Sequence, residues 1–249
     1  MATDQVSLFG TVSRALPGAN ADQSLAGLRV NRRGELVAAV LDRYTLADEG
    51  TYFVAHNATN DASTTLAGHA APVLADADVT MTKPFIHCRY MPGTASLLRC
   101  YLDYIEIEVV TAGANGTSDN WAAQLDTGAT RISSGGTAPT KVNPNMQSSA
   151  ASALDILMGA PVSGAESSSV RDLGFGQIRA AIELAGDRTL FVFGRDPNYA
   201  GVVAAAASRH IVVLPPVVLG PTDQFLLAKY APSQTVAGVY KVRMGWSER

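Results

Sequence analysis

Apolar and polar residues alternate at a period of two along much of this chain, and the pattern predicts strands. The clearest run is Leu97 to Val110, where Ile105, Ile107 and Val109 alternate with Glu106 and Glu108. One face of that strand is expected to be wet and the other buried. Tyr52-Phe53-Val54-Ala55-His56 is short, aromatic and β-branched, and it ends in an Asn/Asp-rich turn at 57–61. Trp121 to Leu125 and Arg131-Ile132 flank a turn at Asp126-Thr127-Gly128. Further strands are expected at Leu154–Met158, Gln177–Leu184, Thr189–Phe193, Ser208–Leu214, Phe225–Tyr230 and Val236–Trp246. In the last of these, Val236, Gly238, Tyr240, Val242, Met244 and Trp246 share one side. Turns are read at Gly186-Asp187, Asp196-Pro197-Asn198, Gly220-Pro221 and Pro232-Ser233. Ser133 to Ser149, with Gly135-Gly136, Pro139 and Pro144, reads as a loop. Glu35 to Tyr44 fits a helical turn or a strand equally, and Val202 to Ala207 fits a turn or two of helix.

Many short strands punctuated by turn residues predict an all-β chain folded as a jelly-roll-like β-sandwich. The sandwich is expected to occupy residues 35–249 as one domain. Residues 1–34, rich in Gly, Asn and Ser with a basic knot at Arg29, Arg32 and Arg33, read as an extended N-terminal arm. No repeat of fixed period is present. The longest apolar run, Ile211 to Leu219, is broken by Pro215 and Pro216 and is too short to span a bilayer.

Composition sharpens this picture. Charged residues are only 16% of the chain and the formal net charge is −3, which excludes a disordered polyelectrolyte and a classical basic nucleic-acid binder. Hydrophobic residues reach 47% but aromatics only 7%, so a core is affordable and is built largely from small aliphatics. Of the 19 basic residues only Lys83, Lys141, Lys229 and Lys241 are lysines. Lysine suits bare hydrated surface, whereas arginine is favoured at contacts. Such a surface fits one covered by neighbouring subunits, although GC-rich coding yields the same bias. The N-terminus (Met1-Ala2-Thr3-Asp4-Gln5) lacks the basic start and apolar stretch of a secretory leader, so cytoplasmic synthesis is expected.

Candidate chemistry is sparse. Cys88 and Cys100 flank the turn Met91-Pro92-Gly93 and could face each other on paired strands, but they read as two buried small hydrophobes. With only His87 nearby they make no zinc site. Leu125-Asp126-Thr127-Gly128-Ala129 looks like the active-site loop of retroviral-type aspartic proteases. That chemistry needs two aspartates sharing one proton, hence a homodimer. The expected downstream segment is matched only loosely by Leu157-Met158-Gly159, and an ordinary tight turn is preferred. His56, His69, His87 and His210 are scattered, with no nucleophile elbow. Gly174-Phe175-Gly176 lacks the third glycine and the lysine of a phosphate loop, and Asp76 with Asp78 is too small a set for calcium. No catalytic, cofactor-binding or metal residue is nominated, and no enzyme is expected.

Several segments, taken in order, carry a resemblance. Asn31-Arg32-Arg33-Gly34-Glu35-Leu36-Val37 leads to Asp42-Arg43-Tyr44 and Gly50-Thr51-Tyr52-Phe53. Tyr101-Leu102-Asp103-Tyr104-Ile105, Ser134-Gly135-Gly136, Val142-Asn143-Pro144-Asn145-Met146, Leu219-Gly220-Pro221-Thr222 and Gly245-Trp246-Ser247-Glu248-Arg249 follow. Together they resemble a family of structural proteins of tailed bacteriophages. The resemblance implies a virion component assembled in the host cytoplasm, a capsid decoration (cement) protein with a jelly-roll-like sandwich and a homotrimeric state. Its partners would be copies of itself and the major capsid protein, with no cofactor, no membrane and no direct nucleic acid. Arg29, Arg32, Arg33, Arg43 and Tyr44 are the expected interface, and Tyr240 and Trp246 would pack in the core or at the subunit seam. The rival reading is a tail or fibre module binding a host-surface glycan, for which Tyr199 is the one good aromatic platform.

Overall fold

The structure, a computed structural model, describes residues 43–57, 66–69, 81–93, 98–127, 131–195 and 209–249. The expected arm at 1–34, the helical turn at 202–207, the turn at 196–198 and Tyr199 lie outside these residues, as do Arg29, Arg32 and Arg33. In chain order the elements are α1 (Arg43–Asp48), β1 (Tyr52–His56), β2 (Leu66–Ala67), β3 (Ile86–Tyr90), β4 (Cys100–Thr111), β5 (Asp119–Thr127), β6 (Ile132–Thr137) and β7 (Thr140–Val142). Then come β8 (Leu154–Ser163), β9 (Arg171–Arg179), β10 (Arg188–Phe193), β11 (Arg209–Leu214), β12 (Val218–Leu219), β13 (Asp223–Tyr230) and β14 (Val239–Glu248). They form two sheets. One runs β11-β10-β4-β14-β1-β7, with β12 beside β4 and β2 beside β14; the other runs β6-β8-β3-β13-β5-β9. The chain is an all-β sandwich, as its alternation predicts.

The connections β4–β5 and β13–β14 each cross between sheets. Hence β4 pairs with β14 in one layer while β5 pairs with β13 in the other. Every described pair is antiparallel except β10–β11, which is parallel; a jelly roll in its strict form is antiparallel throughout.

The inner faces interdigitate. Ile105, Ile107, Phe191, Val242, Met244 and Trp246 of the eight-stranded sheet meet Ile86, Cys88, Tyr90, Met158, Phe225 and Leu227 of the six-stranded one. Phe193 and Phe225 bridge the layers edge to face, with ring centroids 5.4 Å apart. Alternation along β4 slips once. Asp103 is the extra residue of a bulge opposite Gly245 and Trp246, so Leu102 and Ile105 both reach the core although three positions apart.

The outer face of the six-stranded sheet is buried too. Leu226, Ala228 and Tyr230 of β13, with Ala122 of β5 and Met81, form a second small core. Burial on both faces explains why β13 reads as a near-continuous apolar run instead of alternating.

Two expectations are corrected. Residues 133–149 are not simply a loop, because β6 and β7 lie within them. Gly135 and Gly136, both at φ 72°, let β6 bulge along β8, so the ladder there rests on backbone bonds that side-chain patterning does not report. The strand expected at Gln177–Leu184 is shifted to Arg171–Arg179: Gly174 and Gly176 serve as a floor for the Trp121 ring, which lies 3.3 and 3.1 Å from where their Cβ atoms would be. Cys88 and Cys100 are the buried small hydrophobes expected, and the alternative of paired strands does not apply. They sit in opposite layers as buried free thiols.

Candidate functional site

The described members of the expected interface separate into two groups. Tyr240 and Trp246 are core residues, 5% and 0% exposed, so they pack inside the subunit and not at its seam. Trp246 stacks on Phe53 at 6.0 Å and donates its indole N–H to Glu248 at 2.9 Å. Arg43 and Tyr44 open α1, on the surface.

That helix is short and held from outside. Leu46 is its one buried side chain, and its C-terminus closes on Gly50, at φ 70°. The Gly50 N–H donates to Ala47 at 2.9 Å and the Thr51 N–H to Leu46 at 2.9 Å, the paired bonds of a glycine-terminated helix. A side chain at Gly50 would overlap Ser148, whose segment is tied to the helix end. Asn143 donates to the Gly50 carbonyl at 2.9 Å, and Asn145 to the Asp48 carbonyl at 2.9 Å. Asn143 and Asn145 also accept from the backbone two residues on, at 3.0 Å each. Among the described residues β7 pairs with β1 alone on this edge, so α1, β1, β7 and the 143–150 turn form one braced unit. This unit carries Tyr44 at 85% exposure, Met146 at 99% and Val142 at 39%. Single exposed apolar residues are ordinary. Here three lie on one braced unit, with Met146 on a turn framed by asparagine hydrogen bonds.

Arg43 serves this unit from within the chain. Its guanidinium grips both oxygens of Asp103, at 2.5 and 2.8 Å, and Arg195 and the Tyr52 hydroxyl reach the same carboxylate at 3.3 and 2.8 Å. The hydrogen bond to Asp103 holds Arg43 firmly protonated. Burial, reinforced by Asp103, pushes the Tyr52 phenol far above its usual value. The β4 bulge therefore has a purpose: it presents Asp103 as the anchor of α1.

A second polar assembly lies on the outer face of the six-stranded sheet. His87 is fully buried, its Nε2 2.6 Å from Gln224 Oε1 and its Nδ1 3.0 Å from the Ser163 hydroxyl. Because the amide oxygen only accepts, Nε2 carries the proton and Nδ1 accepts from Ser163. The sequence did not suggest this Ser–His pair, since the two residues lie on β8 and β3, 76 positions apart in the chain. It is not a nucleophilic site. Ser163 is 4% exposed, the third member is a neutral amide, and burial pulls the imidazole down to about 4, where it is a poor base.

Asp126 and Thr127, expected in a tight turn, instead end β5 opposite Gln224 and Asp223 of β13, and Gly128 lies outside the described residues. Asp126 is likewise fully engaged. Arg131 and the Ser167 hydroxyl donate to it, as do the backbone N–H of Thr127 at 2.7 Å and of Ser167 at 3.2 Å. Burial alone would raise its pKa, but these hydrogen bonds outweigh burial and hold it below the usual carboxylate range. A protease dyad requires this carboxylate to face a second one; here it faces a guanidinium.

The outer face of the eight-stranded sheet carries charges of alternating sign. Glu106 pairs with Arg243 at 2.7 Å and Glu108 with Arg188 at 3.0 Å, lining a shallow cleft of about 450 Å³ with His56 and Lys241. Among the described residues no helix is long and apolar enough to cross a membrane. No protein-family model, no curated protein and no solved structure matches this chain.

Proposed function

We propose that this chain is a structural protein of a tailed-bacteriophage virion, a capsid decoration protein that oligomerises and binds the major capsid shell. One observation carries the reading: the braced unit of α1, β7 and the 143–150 turn displays Tyr44, Met146 and Val142 to solvent from a rigid sandwich. The sequence resemblance to phage structural proteins and the arginine-rich, lysine-poor surface point the same way. A decoration protein needs no reacting pocket. It needs a stiff body and a contact face, because many weak contacts repeated over a shell add up through effective concentration. A homotrimer fits, since closed rotational symmetry lets one patch serve every copy and matches local threefold positions on a shell.

Sedimentation equilibrium of the purified full chain tests the first step, and co-sedimentation with phage heads stripped of this protein tests the second. A trimer that pellets with heads is expected. A monomer at high concentration with no affinity for heads overturns the proposal.

A further inference from the structure

Lys229 sits inside the apolar run of β13, its side chain 3% exposed. Its Nζ lies 2.7 Å from Asp119 Oδ1, at the start of the adjacent strand β5, and also contacts Glu183 Oε2 from the β9–β10 connection. Asp119 and Glu183 are 5% and 4% exposed. Glu183 is fixed by its other oxygen, which accepts from the Tyr240 hydroxyl at 2.6 Å and from the Gly113 N–H at 3.4 Å. The Tyr240 ring covers the amine, with its centroid 5.3 Å from Nζ. Gly238 makes the arrangement possible, because a Cβ there would overlap both the Tyr240 hydroxyl and Glu183 Oε1. As a mere ion pair this cluster is a poor investment: one ammonium between two carboxylates leaves an uncompensated negative charge out of water, and an apolar substitute would serve stability as well.

We propose that the cluster is the site of a self-catalysed isopeptide crosslink, in which Lys229 Nζ condenses with the Asp119 side-chain carboxyl and Glu183 carries the proton. The step needs no other reactant. The ammonium gives one proton to Glu183, and the freed amine attacks Asp119 Cγ. A new C–N bond forms, one C–O bond of Asp119 breaks, and the departing oxygen leaves as water with the proton returned by Glu183 and a second from nitrogen. The amide is neutral and Glu183 ends as it began, so charge and atoms balance.

The surroundings favour each part. Amine and acceptor are held in contact on neighbouring strands, and such positioning is worth effective molarities on the order of 10⁵–10⁸ M. Burial pushes the Asp119 carboxyl up against the pull of Lys229, so its negative charge is held less firmly than in water and a condensation that neutralises carboxylate and ammonium together is favoured. Burial also pulls Lys229 down, but Asp119 and Glu183 more than offset it and keep the ammonium charged. A resident base must therefore remove its proton, and Glu183 is the one in place. A cavity of about 10 Å³ lined by Asp119, Glu183, Lys229 and Tyr240 is close to the space one water needs, which suits the departing molecule. The bond would join β5 to β13 covalently, a cross-brace independent of whether the chain belongs to a virion.

Intact-mass spectrometry of the denatured full chain, after incubation at neutral pH, decides the matter. Wild type is expected to weigh one water less than its sequence, with tandem spectra of a digest showing the peptides of Asp119 and Lys229 joined. Glu183→Gln, which keeps an oxygen for Tyr240 to donate to, is expected to retain the full sequence mass and to run more slowly than the looped wild type on a denaturing gel. A wild-type mass equal to the sequence overturns the proposal whatever the variant does, and so does a link at Glu183 or full conversion of Glu183→Gln.

Discussion

His87 shows how a single buried side chain writes itself into the pH profile. Its folded value, about 4, lies below the ordinary 6.5, so as pH falls the unfolded chain binds this proton before the folded one does. Stability from this residue is complete above pH 6.5 and drains away between there and pH 4, by about 3 kcal/mol in all. Urea unfolding at stepped pH should show that decline in wild type, and His87→Gln should flatten it. The difference between the two isolates His87 from the other titrating groups of the chain. Asp126→Ala makes a different case, since it takes from Arg131, whose side chain is only 2% exposed, its nearest carboxylate and leaves it Gln124 at 3.0 Å and Glu166 at 3.5 Å. A loss of about 1–3 kcal/mol is expected, read as a lower denaturation midpoint. At this scale the sequence was least informative. His87, Ser163, Asp126 and Lys229 read as isolated positions, because their partners are brought by strands far away in the chain.

The strand β14 is where sequence and structure agree best. Tyr240, Val242, Met244 and Trp246 alternate in the sequence and all face the core. Trp246→Ala should cost about 3–5 kcal/mol, because a fully buried indole leaves a large cavity, and near-ultraviolet dichroism should weaken with it. The strands at Tyr52–His56 and Phe225–Tyr230 were legible as short apolar runs bounded by turn residues, and β10 nearly to its ends. Those at 132–142 were not. Their ladders are held by backbone bonds between glycine-rich or fully exposed residues, and hydrophobic periodicity says nothing about such strands. The β4 bulge escaped notice likewise, since an extra residue is defined only against the partner strand.

For the whole molecule, the quantity that tests the proposed function is contact with other copies. The double variant Tyr44→Ser, Met146→Ser removes two exposed apolar side chains that bear no core load. Its unfolding free energy should stay within about 0.5 kcal/mol of wild type. On the proposed assembly the trimer should weaken at the same time, and because shell binding would multiply many small terms, head occupancy should fall by much more than the trimer does. Sedimentation and unfolding measured on one preparation separate the two effects.

The sequence by itself determined the class of fold. Period-two alternation, turn residues at short intervals and a low charge content leave a sandwich as the way to bury this much aliphatic surface. Pairing of strands distant in the chain was decided only in three dimensions: which layer each cysteine joins, the burial of both faces of β13, and the convergence of Lys229, Asp119 and Glu183. Alternation records which side of a strand is wet, a property of each residue alone. Neighbours across a sheet depend on where the chain returns, and side-chain pattern carries no address for that.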